Sequence, residues 1–250
     1  MSGSDSDMNT DEAWEEWGRR DPYFGVITDP KYRRSAMKEV DKREFFESGR
    51  RHVDYVMRTI HDHIDSDFHP RSVLDFGCGV GRTLVSFAQI ARKAVGLDVS
   101  VSMLDEAKRN CQERELRNVQ LAQSDDAISS LTEPVDLIHS CIVFQHVAAD
   151  RGRLIFRNLL KHLAPRGIGA FHLLYSKSGY ADTHGIAPPK ILSVEPVAPR
   201  PSDADPEMQM IPYNLNEILF LMQSAGTRRF YSDFTDHGGE LGVFLFFQID

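Results

Sequence analysis

Cysteine is scarce in this chain of 250 residues, which contains three, Cys78, Cys111 and Cys141. They lie far apart, their number is odd and no C-x-x-C occurs, so we expect no disulfide framework, dithiol redox site or zinc ribbon. The longest apolar runs, such as residues 242–247, are much shorter than a membrane span. The first sixteen residues are acidic and polar, unlike a signal or transit peptide. These absences favour a reduced, cytoplasmic protein that does not enter a membrane.

Positively charged residues are fewer than negatively charged ones. The 29 Lys and Arg residues are outnumbered by 37 Asp and Glu residues, which gives a formal net charge of −8. A chain with this balance has no overall attraction for a phosphate backbone, so we expect no nucleic-acid partner. The hydrophobic share of 41% and the charged share of 26% are those of a folded globular protein. The composition therefore favours an enzyme or a small-molecule binder.

Two segments precede the first predicted strand. Residues 1–10 are rich in Ser, Asp and Gly, which predicts a disordered tail. Residues 11–70 are predicted to form a helical cap or lid, with a short helix that places Trp14 and Trp17 on one face, a turn, and a longer amphipathic helix. The spacing of the two tryptophans favours burial in the core over stacking on a substrate. The longer helix is expected over residues 42–64, with an interruption near Gly49.

From residue 71 onward, short apolar runs alternate with helical patterns. This alternation is typical of a parallel sheet covered by helices on both faces, so we predict one doubly wound α/β domain over residues 71–250. The predicted strands cover residues 72–76, 94–98, 119–122, 135–138 and 167–174.

The end of the chain has a different pattern. A helix over residues 215–223 is followed by two β-rich runs, 229–234 and 242–249, joined by a Gly-Gly turn. This pattern predicts a hairpin, which brings the last strand into the sheet antiparallel to its neighbour. Between the fifth strand and the helix, residues 176–213 contain several prolines and little periodicity, which is typical of a lid or binding loop.

A glycine-rich loop follows the first predicted strand, in V-L-D-F-G-C-G-V-G over residues 73–81. Such a loop lets a ligand approach the backbone closely, and Asp98 at the end of the second strand could accept both ribose hydroxyls of an adenosine ligand. The loop is neither the G-x-G-x-x-G of dinucleotide-binding proteins nor a P-loop with G-K-[ST]. Asp75, next to the glycines, suits a ligand with an ammonium group and would repel a pyrophosphate.

With these features the chain resembles the class I S-adenosylmethionine-dependent methyltransferases over residues 71–250. The glycine loop resembles the family's first motif, G-L-D-V-S over residues 96–100 the second, and S-D-D-A over residues 124–127 the adenine motif. V-D-L-I-H-S-C over residues 135–141 resembles the fourth-strand motif that borders the transferred methyl, and L-A-P-R-G over residues 163–167 the turn before strand five.

The resemblance implies a seven-stranded sheet of order 3-2-1-4-5-7-6 and S-adenosylmethionine as cofactor. It further implies that the methionine end lies at the glycine loop, the ribose at the end of the second strand and the adenine at the acidic loop. The cofactor-binding residues that it implies are Asp75, Gly77, Cys78, Gly79, Gly81, Asp98, Val99, Met103, Asp125, Asp126 and Cys141.

The chemistry of the acceptor depends on whether a base is available. A sulfonium methyl is already activated, but a hydroxyl acceptor needs a base to remove its proton, whereas an amine needs only to be unprotonated. His146, in F-Q-H-V after the fourth strand, stands at the carboxyl edge of the sheet and is the predicted catalytic base. The alternative is that His146 packs or hydrogen-bonds as a residue at the entry of a helix.

The sequence says less about the acceptor. The chain lacks the Asn/Asp-Pro-Pro-aromatic tetrapeptide of methyltransferases that act on nucleic acid bases, and its N-terminal aromatic residues and F-Q-H-V resemble methyltransferases of sugars and other small hydroxylated metabolites. We therefore predict O-methylation of a saccharide or other small molecule, with Tyr180 and His184 contacting the acceptor. N-methylation of a small amine and a non-catalytic cofactor-binding protein stay open as alternatives. No metal site is predicted, because the clustered histidines of residues 61–69 fit a solvated helix end.

Overall fold

The computed structural model describes residues 10–177 and 204–250. The N-terminal segment is helical and packs against the sheet that follows. Its elements are α1 (Thr10–Arg20), α2 (Pro22–Val26), a short 3₁₀ turn (Pro30–Tyr32) and α3 (Glu39–His63). Acidic residues in the first turn of α1 and arginines in its last turn complement the helix dipole.

Two details of this segment differ from the sequence-based expectation. The predicted turn at residues 21–25 is the helix α2, because proline suits the first position of a helix and the Gly25 amide donates to the Asp21 carbonyl at 2.9 Å. Helix α3 runs without interruption through Gly49. A glycine is required there because a Cβ at this position would lie 2.0 Å from the carbonyl oxygen of Arg82, so the absent side chain allows close packing.

A single seven-stranded sheet forms the centre of the described residues. Its order, β3-β2-β1-β4-β5-β7-β6, confirms the predicted topology, and β7 is the strand that runs antiparallel to its neighbours β5 and β6. The strands are β1 (Ser72–Phe76), β2 (Lys93–Asp98), β3 (Val119–Gln123), β4 (Val135–Ser140), β5 (Leu163–Lys177), β6 (Phe230–Asp236) and β7 (Glu240–Gln248).

Strand β5 begins earlier than predicted. Leu163 pairs with Val135 and Ile168 with Leu137, so the predicted turn at residues 163–167 lies inside the strand, where it forms a bulge. The tail residues 1–9 and the loop residues 178–203 lie outside the described part of the chain, whereas Thr10, assigned to the disordered tail, begins α1.

Helices lie on both faces of the sheet. They are α4 (Leu84–Ile90), α5 (Val101–Glu113), α6 (Ala149–Leu160) and α7 (Leu215–Ser224). Ser100 caps the start of helix α5, since its hydroxyl accepts a hydrogen bond from the Met103 amide at 3.1 Å. No helix among the described residues is long and apolar enough to cross a membrane.

Alternation along the strands divides the core between the two faces. On β4, Leu137 packs with Val56 of α3 and Phe87 of α4, whereas its neighbour Ile138 packs with Phe156 of α6 on the opposite face. Because both faces are covered there, the central strands β1, β2, β4 and β5 are largely apolar and buried, as expected for a parallel sheet. Their carboxyl ends are left to form a site at one edge, where ligands of doubly wound folds bind.

Candidate active site

A cavity of about 600 Å³ lies at the carboxyl ends of β1, β2, β3 and β4. Helix α1 and the segment after α2 form its other wall, with Trp14 and residues 25–28. Most of the predicted cofactor residues line it, together with the predicted base: Gly77, Gly79, Asp98, Val99, Met103, Asp125, Asp126, Cys141 and His146. The structure thus brings together residues that are up to 69 positions apart (Gly77 to His146) in one concave site.

The glycine loop has a backbone that few other residues could adopt. Gly77, Gly79 and Gly81 all have positive φ, at 71°, 52° and 86°. A Cβ at Gly77 would also lie 2.4 Å from a methyl carbon of Val143, and one at Gly79 would lie 2.8 Å from Val26. The absence of side chains is therefore what leaves the cavity open at this loop, and the space suits a ligand that lies against the backbone.

Asp98 is nearly buried at the end of β2 and is held in place by the backbone. Its two carboxylate oxygens accept hydrogen bonds from the amides of Gly79 at 2.8 Å and Ser100 at 2.9 Å. Burial nevertheless raises the pKa of Asp98 to about 6, since desolvation outweighs the two hydrogen bonds. Each oxygen keeps a further lone pair, so the carboxylate can accept a pair of vicinal hydroxyls from the cavity.

The two acids of the loop after β3 differ in their partners. Asp125 accepts hydrogen bonds from its own turn, including one from the Ser129 amide at 2.9 Å. Asp126 instead pairs with Arg151 at 2.8 Å, and the same guanidinium binds both carboxylate oxygens of Asp11 on α1 at 2.7 and 2.8 Å. An ion-pair network therefore closes this end of the cavity by joining α1, α6 and the loop.

Asp75, predicted to face the cofactor's ammonium group, does not lie on the cavity wall. It is 2% exposed, and its oxygens bind the Nδ1 atom of His139 at 2.7 Å and the Thr83 hydroxyl at 2.7 Å. Cys78 and Gly81 are likewise absent from the wall. Cys78 is buried, and burial raises the pKa of its thiol. In this structure Asp75, Cys78 and Gly81 belong to the strand and loop that border the cavity, but they do not line it.

The predicted base, His146, is positioned with one ring nitrogen fixed. Its Nδ1 atom donates to the carbonyl oxygen of Gln209 at 2.7 Å, so Nε2 is the nitrogen that carries the lone pair. The ring lies against Trp14, with centroids 4.9 Å apart, and is 7% exposed. Burial lowers the pKa of His146 to about 4, although the hydrogen bond to Gln209 opposes the shift. The imidazole is therefore neutral near pH 7 and has one site that can accept a proton.

A second polar cluster lies where α3 meets the end of β4. The Nε2 atom of His139 is 2.9 Å from that of His52, and Cys141 lies close enough for the three ligand atoms to be within 4.8 Å of one another. The sequence did not predict this group, because His52 belongs to a helix remote along the chain. The residue after Cys141, Ile142, has a φ of 58°, which is strained for a β-branched side chain.

Helix α1 covers the cavity and is tied down at its middle. The carboxylate of Glu15 accepts hydrogen bonds from the Ser100 hydroxyl at 2.8 Å, the Ser102 amide at 3.1 Å and the Ser102 hydroxyl at 2.6 Å. These groups form the N-terminal turn of α5, where a negative charge is favourable. Trp17 is buried as predicted, whereas Trp14 lies on the cavity wall beside His146.

Several residues of the cavity wall were not predicted from the sequence, and two predicted acceptor residues lie outside the described part of the chain. Tyr180 and His184 belong to the latter group. The missed residues come from the cap, the glycine loop, the segment from the end of β4 into α6, and the segments around the tail elements: Thr10, Asp11, Ser48, Arg82, Gln145, Arg151, Met208, Met210 and His237. Of these, only Arg82 had a sequence signal, since it follows directly after Gly81.

A family model described as a methyltransferase domain matches residues 73–167, which include β1 to β4, the glycine loop and His146. A probable S-adenosyl-L-methionine-dependent methyltransferase, TehB of Haemophilus influenzae (strain 10810), is 29% identical over 126 residues. The match covers 48% of this chain and 42% of that protein, so the chain spans less than half the length of this curated relative.

Solved structures share the fold at low sequence identity. Magnesium protoporphyrin IX methyltransferase from Synechocystis PCC 6803, with bound S-adenosylhomocysteine (SAH), has a TM-score of 0.60 at 17% identity, covering 86% of this chain and 89% of that one. The N-methyltransferase NodS from Bradyrhizobium japonicum WM9, in complex with SAH, has the same TM-score and identity over 96% and 98%. The chain is therefore similar to S-adenosylmethionine-dependent methyltransferases in the matched domain of residues 73–167, and it shares its fold with solved methyltransferases that bind S-adenosylmethionine or SAH.

Proposed function

We propose that this protein transfers a methyl group from S-adenosylmethionine to a hydroxyl of a small molecule, with a saccharide as the favoured acceptor and His146 as the general base. The observation that carries the proposal is the orientation of the imidazole. The Gln209 carbonyl accepts the Nδ1 proton, so the lone pair of Nε2, with the Gln145 amide nitrogen 3.5 Å away, is the proton acceptor of a ring on the cavity wall. That is the tautomer required to take a proton from an acceptor hydroxyl.

The residues present fit the cofactor. Asp98 offers two oxygens to the ribose hydroxyls, and the three left-handed glycines leave the space that the methionine end needs. When bound, the cofactor supplies an activated methyl group that leaves a neutral thioether behind. The protein has to align the acceptor in line with that methyl, exclude water and remove one proton.

The hydroxyl is the group for which His146 matters most. A hydroxyl is a poor nucleophile until its proton leaves, and a buried, neutral imidazole with a pKa lowered to about 4 is unprotonated over the whole physiological range. Its low basicity means that proton transfer accompanies methyl transfer and does not precede it. Gln145, whose side-chain nitrogen is 3.5 Å from His146 Nε2, lies beside the same position on the wall.

The size and lining of the cavity support a small acceptor. About 600 Å³ must hold the cofactor together with the reacting part of the acceptor, which leaves room for a group the size of a sugar. The described wall combines aromatic and methionine side chains with few cations, and the net charge is −8. A cytoplasmic metabolite that is not polyanionic is the acceptor that these features favour.

Methylation of a small amine is the second candidate. The similarity to the N-methyltransferase NodS is a similarity of fold. An amine acceptor would need no base at the site, because bulk water can take its proton. The two candidates differ in their dependence on His146, because an amine above its own pKa is already a nucleophile.

An isotopic methyl-transfer assay tests the proposal. The purified protein and S-adenosylmethionine labelled in the methyl group are incubated with fractionated metabolites and with oligosaccharides, and the products are analysed by mass spectrometry. We expect an O-methylated small molecule and stoichiometric SAH. A labelled amine product would establish the second candidate, and cofactor binding without SAH formation in any fraction would identify a non-catalytic binding protein.

A further inference from the structure

Arg82 is held by close packing at the end of the glycine loop. It lies between Gly81 and helix α4, and Gly49 of α3 lets its backbone and the base of its side chain approach the helix. A Cβ at Gly49 would lie 3.0 Å from the Cγ atom of Arg82 as well as 2.0 Å from its carbonyl oxygen. The side chain lines the cavity, as does Ser48 beside Gly49. Arg82 is therefore a partly buried arginine of the cavity wall that packs closely against α3.

The charge of Arg82 has no protein counter-ion within residues 10–177 and 204–250, where its guanidinium makes no hydrogen bond or ion pair. The other arginine of the described wall, Arg151, is neutralised by Asp11 and Asp126. Partly buried charges are costly unless they are paired, and guanidinium groups match carboxylates with two parallel hydrogen bonds. The cavity thus has one end that is already neutral and another that carries an uncompensated positive charge.

The surroundings of Arg82 favour an anion over a metal ion. The nearby Arg82 charge helps to lower the pKa of His52, after burial and the neighbouring His139, and it opposes the rise that burial causes in the pKa of Cys141. The field that acts on these groups also repels a divalent cation. The two imidazole nitrogens are at hydrogen-bond distance, 2.9 Å, whereas two ligands of one tetrahedral zinc ion lie roughly 3.3 Å apart.

We propose that Arg82 is an anion-binding residue of the cavity and that it binds a carboxylate. This inference rests on the proposed function, because the carboxylate belongs either to the methionine end of the cofactor or to an acidic acceptor such as a uronic acid. Both sources present the same planar group to the same guanidinium. The position of Arg82 beside the glycine loop makes it accessible to either.

The first arm of the test concerns the cofactor. Calorimetry compares SAH with S-adenosyl-3-thiopropylamine, which lacks only the carboxylate, on the wild type, Arg82→Gln, Arg82→Lys and the control Arg92→Gln. Arg92 is exposed beyond the other end of α4, so its variant removes the same charge away from the cavity. If the cofactor supplies the carboxylate, Arg82→Gln weakens SAH about 10- to 100-fold and leaves the decarboxylated ligand unchanged, with an intermediate loss in Arg82→Lys.

The second arm concerns the acceptor. Glucuronate and glucose are titrated into each protein after saturation with SAH. If an acidic acceptor supplies the carboxylate, glucuronate binds more tightly than glucose, and Arg82→Gln removes the difference while the affinity for SAH stays unchanged. Equal ligand discrimination in the wild type and Arg82→Gln in both arms would overturn the proposal. Neither arm depends on turnover, so this failure differs from a failure of the proposed methyl transfer.

Discussion

Asp98 has a carboxylate that is well hydrogen-bonded and yet has a raised pKa. Two backbone amides orient its carboxylate, yet burial raises its pKa to about 6. If this carboxylate accepts the ribose hydroxyls, its protonated form is a poorer partner, because one oxygen becomes a donor. The affinity for the cofactor should then depend on pH in a range where most acids do not titrate.

We predict that the affinity for SAH is constant above pH 7 and falls as the pH drops below about 6, approaching tenfold per pH unit. Asp98→Asn should bind SAH at least tenfold more weakly at pH 7.5 and should show little change between pH 7.5 and pH 5. Calorimetric titrations of both proteins in overlapping buffers measure this. A wild-type affinity that is the same at pH 7.5 and pH 5 would contradict the ribose role of Asp98.

The side chain of Asp75 does not point where its sequence motif suggests. Its place before the glycines was correctly identified, but a one-dimensional pattern does not show which way a side chain points. The register that sets Asp75 opposite His139 on β4 allows the 2.7 Å hydrogen bond that holds it away from the cavity. Trp14 differs from the prediction in the opposite direction. Its helical spacing favoured burial in the core, whereas the structure places it on the cavity wall beside His146.

Among the elements, helix α1 contributes Thr10, Asp11 and Trp14 to the wall of the cavity. Three hydrogen bonds to Glu15 and the ion pairs of Asp11 attach it to α5 and α6. A ligand that occupies the cavity is covered by this helix, so the attachment should set how fast the ligand leaves.

We predict that Glu15→Gln speeds the dissociation of SAH several-fold, because an amide accepts these hydrogen bonds more weakly and loses the favourable charge at the start of α5. Glu16→Gln is the matched control, since Glu16 is the next residue on the same helix and its ion pairs within residues 10–177 and 204–250 are with the exposed arginines Arg19 and Arg20. Stopped-flow displacement measures both rates. Equal rates in the two variants would show that α1 does not retain the ligand.

The element scale is also where the sequence was most informative. Apolar runs predicted every strand of the sheet, and helical patterns predicted that helices alternate with the first five strands, because the central strands are buried on both faces and the patterns are strong. The packing of the cap was not predicted, since contacts such as Glu15 with Ser102 or His52 with His139 join residues 87 positions apart. Such contacts depend on the tertiary arrangement and have no local signal.

For the whole molecule, buried histidines make stability depend on pH. Burial lowers the pKa of His146 and His172 to about 4 and that of His52 to about 2. Between pH 6.5 and pH 4 the unfolded chain therefore binds more protons at these positions than the folded chain does. Stability then falls as the pH falls through this range. Asp98, whose pKa is raised, acts in the opposite direction between about pH 6 and pH 4, but it is a single group.

We expect the free energy of unfolding to decrease by on the order of 3 kcal/mol between pH 7 and pH 5. Urea unfolding at the two pH values measures it. His172→Gln should reduce the difference, because it removes one of the three imidazoles, and the Nδ1 atom of His172 has no hydrogen-bond partner within the described residues. Equal stability at pH 7 and pH 5 would contradict the neutral state assigned to these side chains.

The proposed transfer of a methyl group to a hydroxyl depends on His146 being the base, and turnover of His146→Ala tests this most directly. The measurement compares methyl transfer to the identified acceptor by the wild type, by His146→Ala and by the control His162→Ala, whose imidazole lies beyond the opposite edge of the sheet. We predict that His146→Ala loses at least 100-fold in kcat while its affinity for SAH changes less than threefold, and that His162→Ala retains full activity. Near-wild-type turnover by His146→Ala would contradict the assignment of the base.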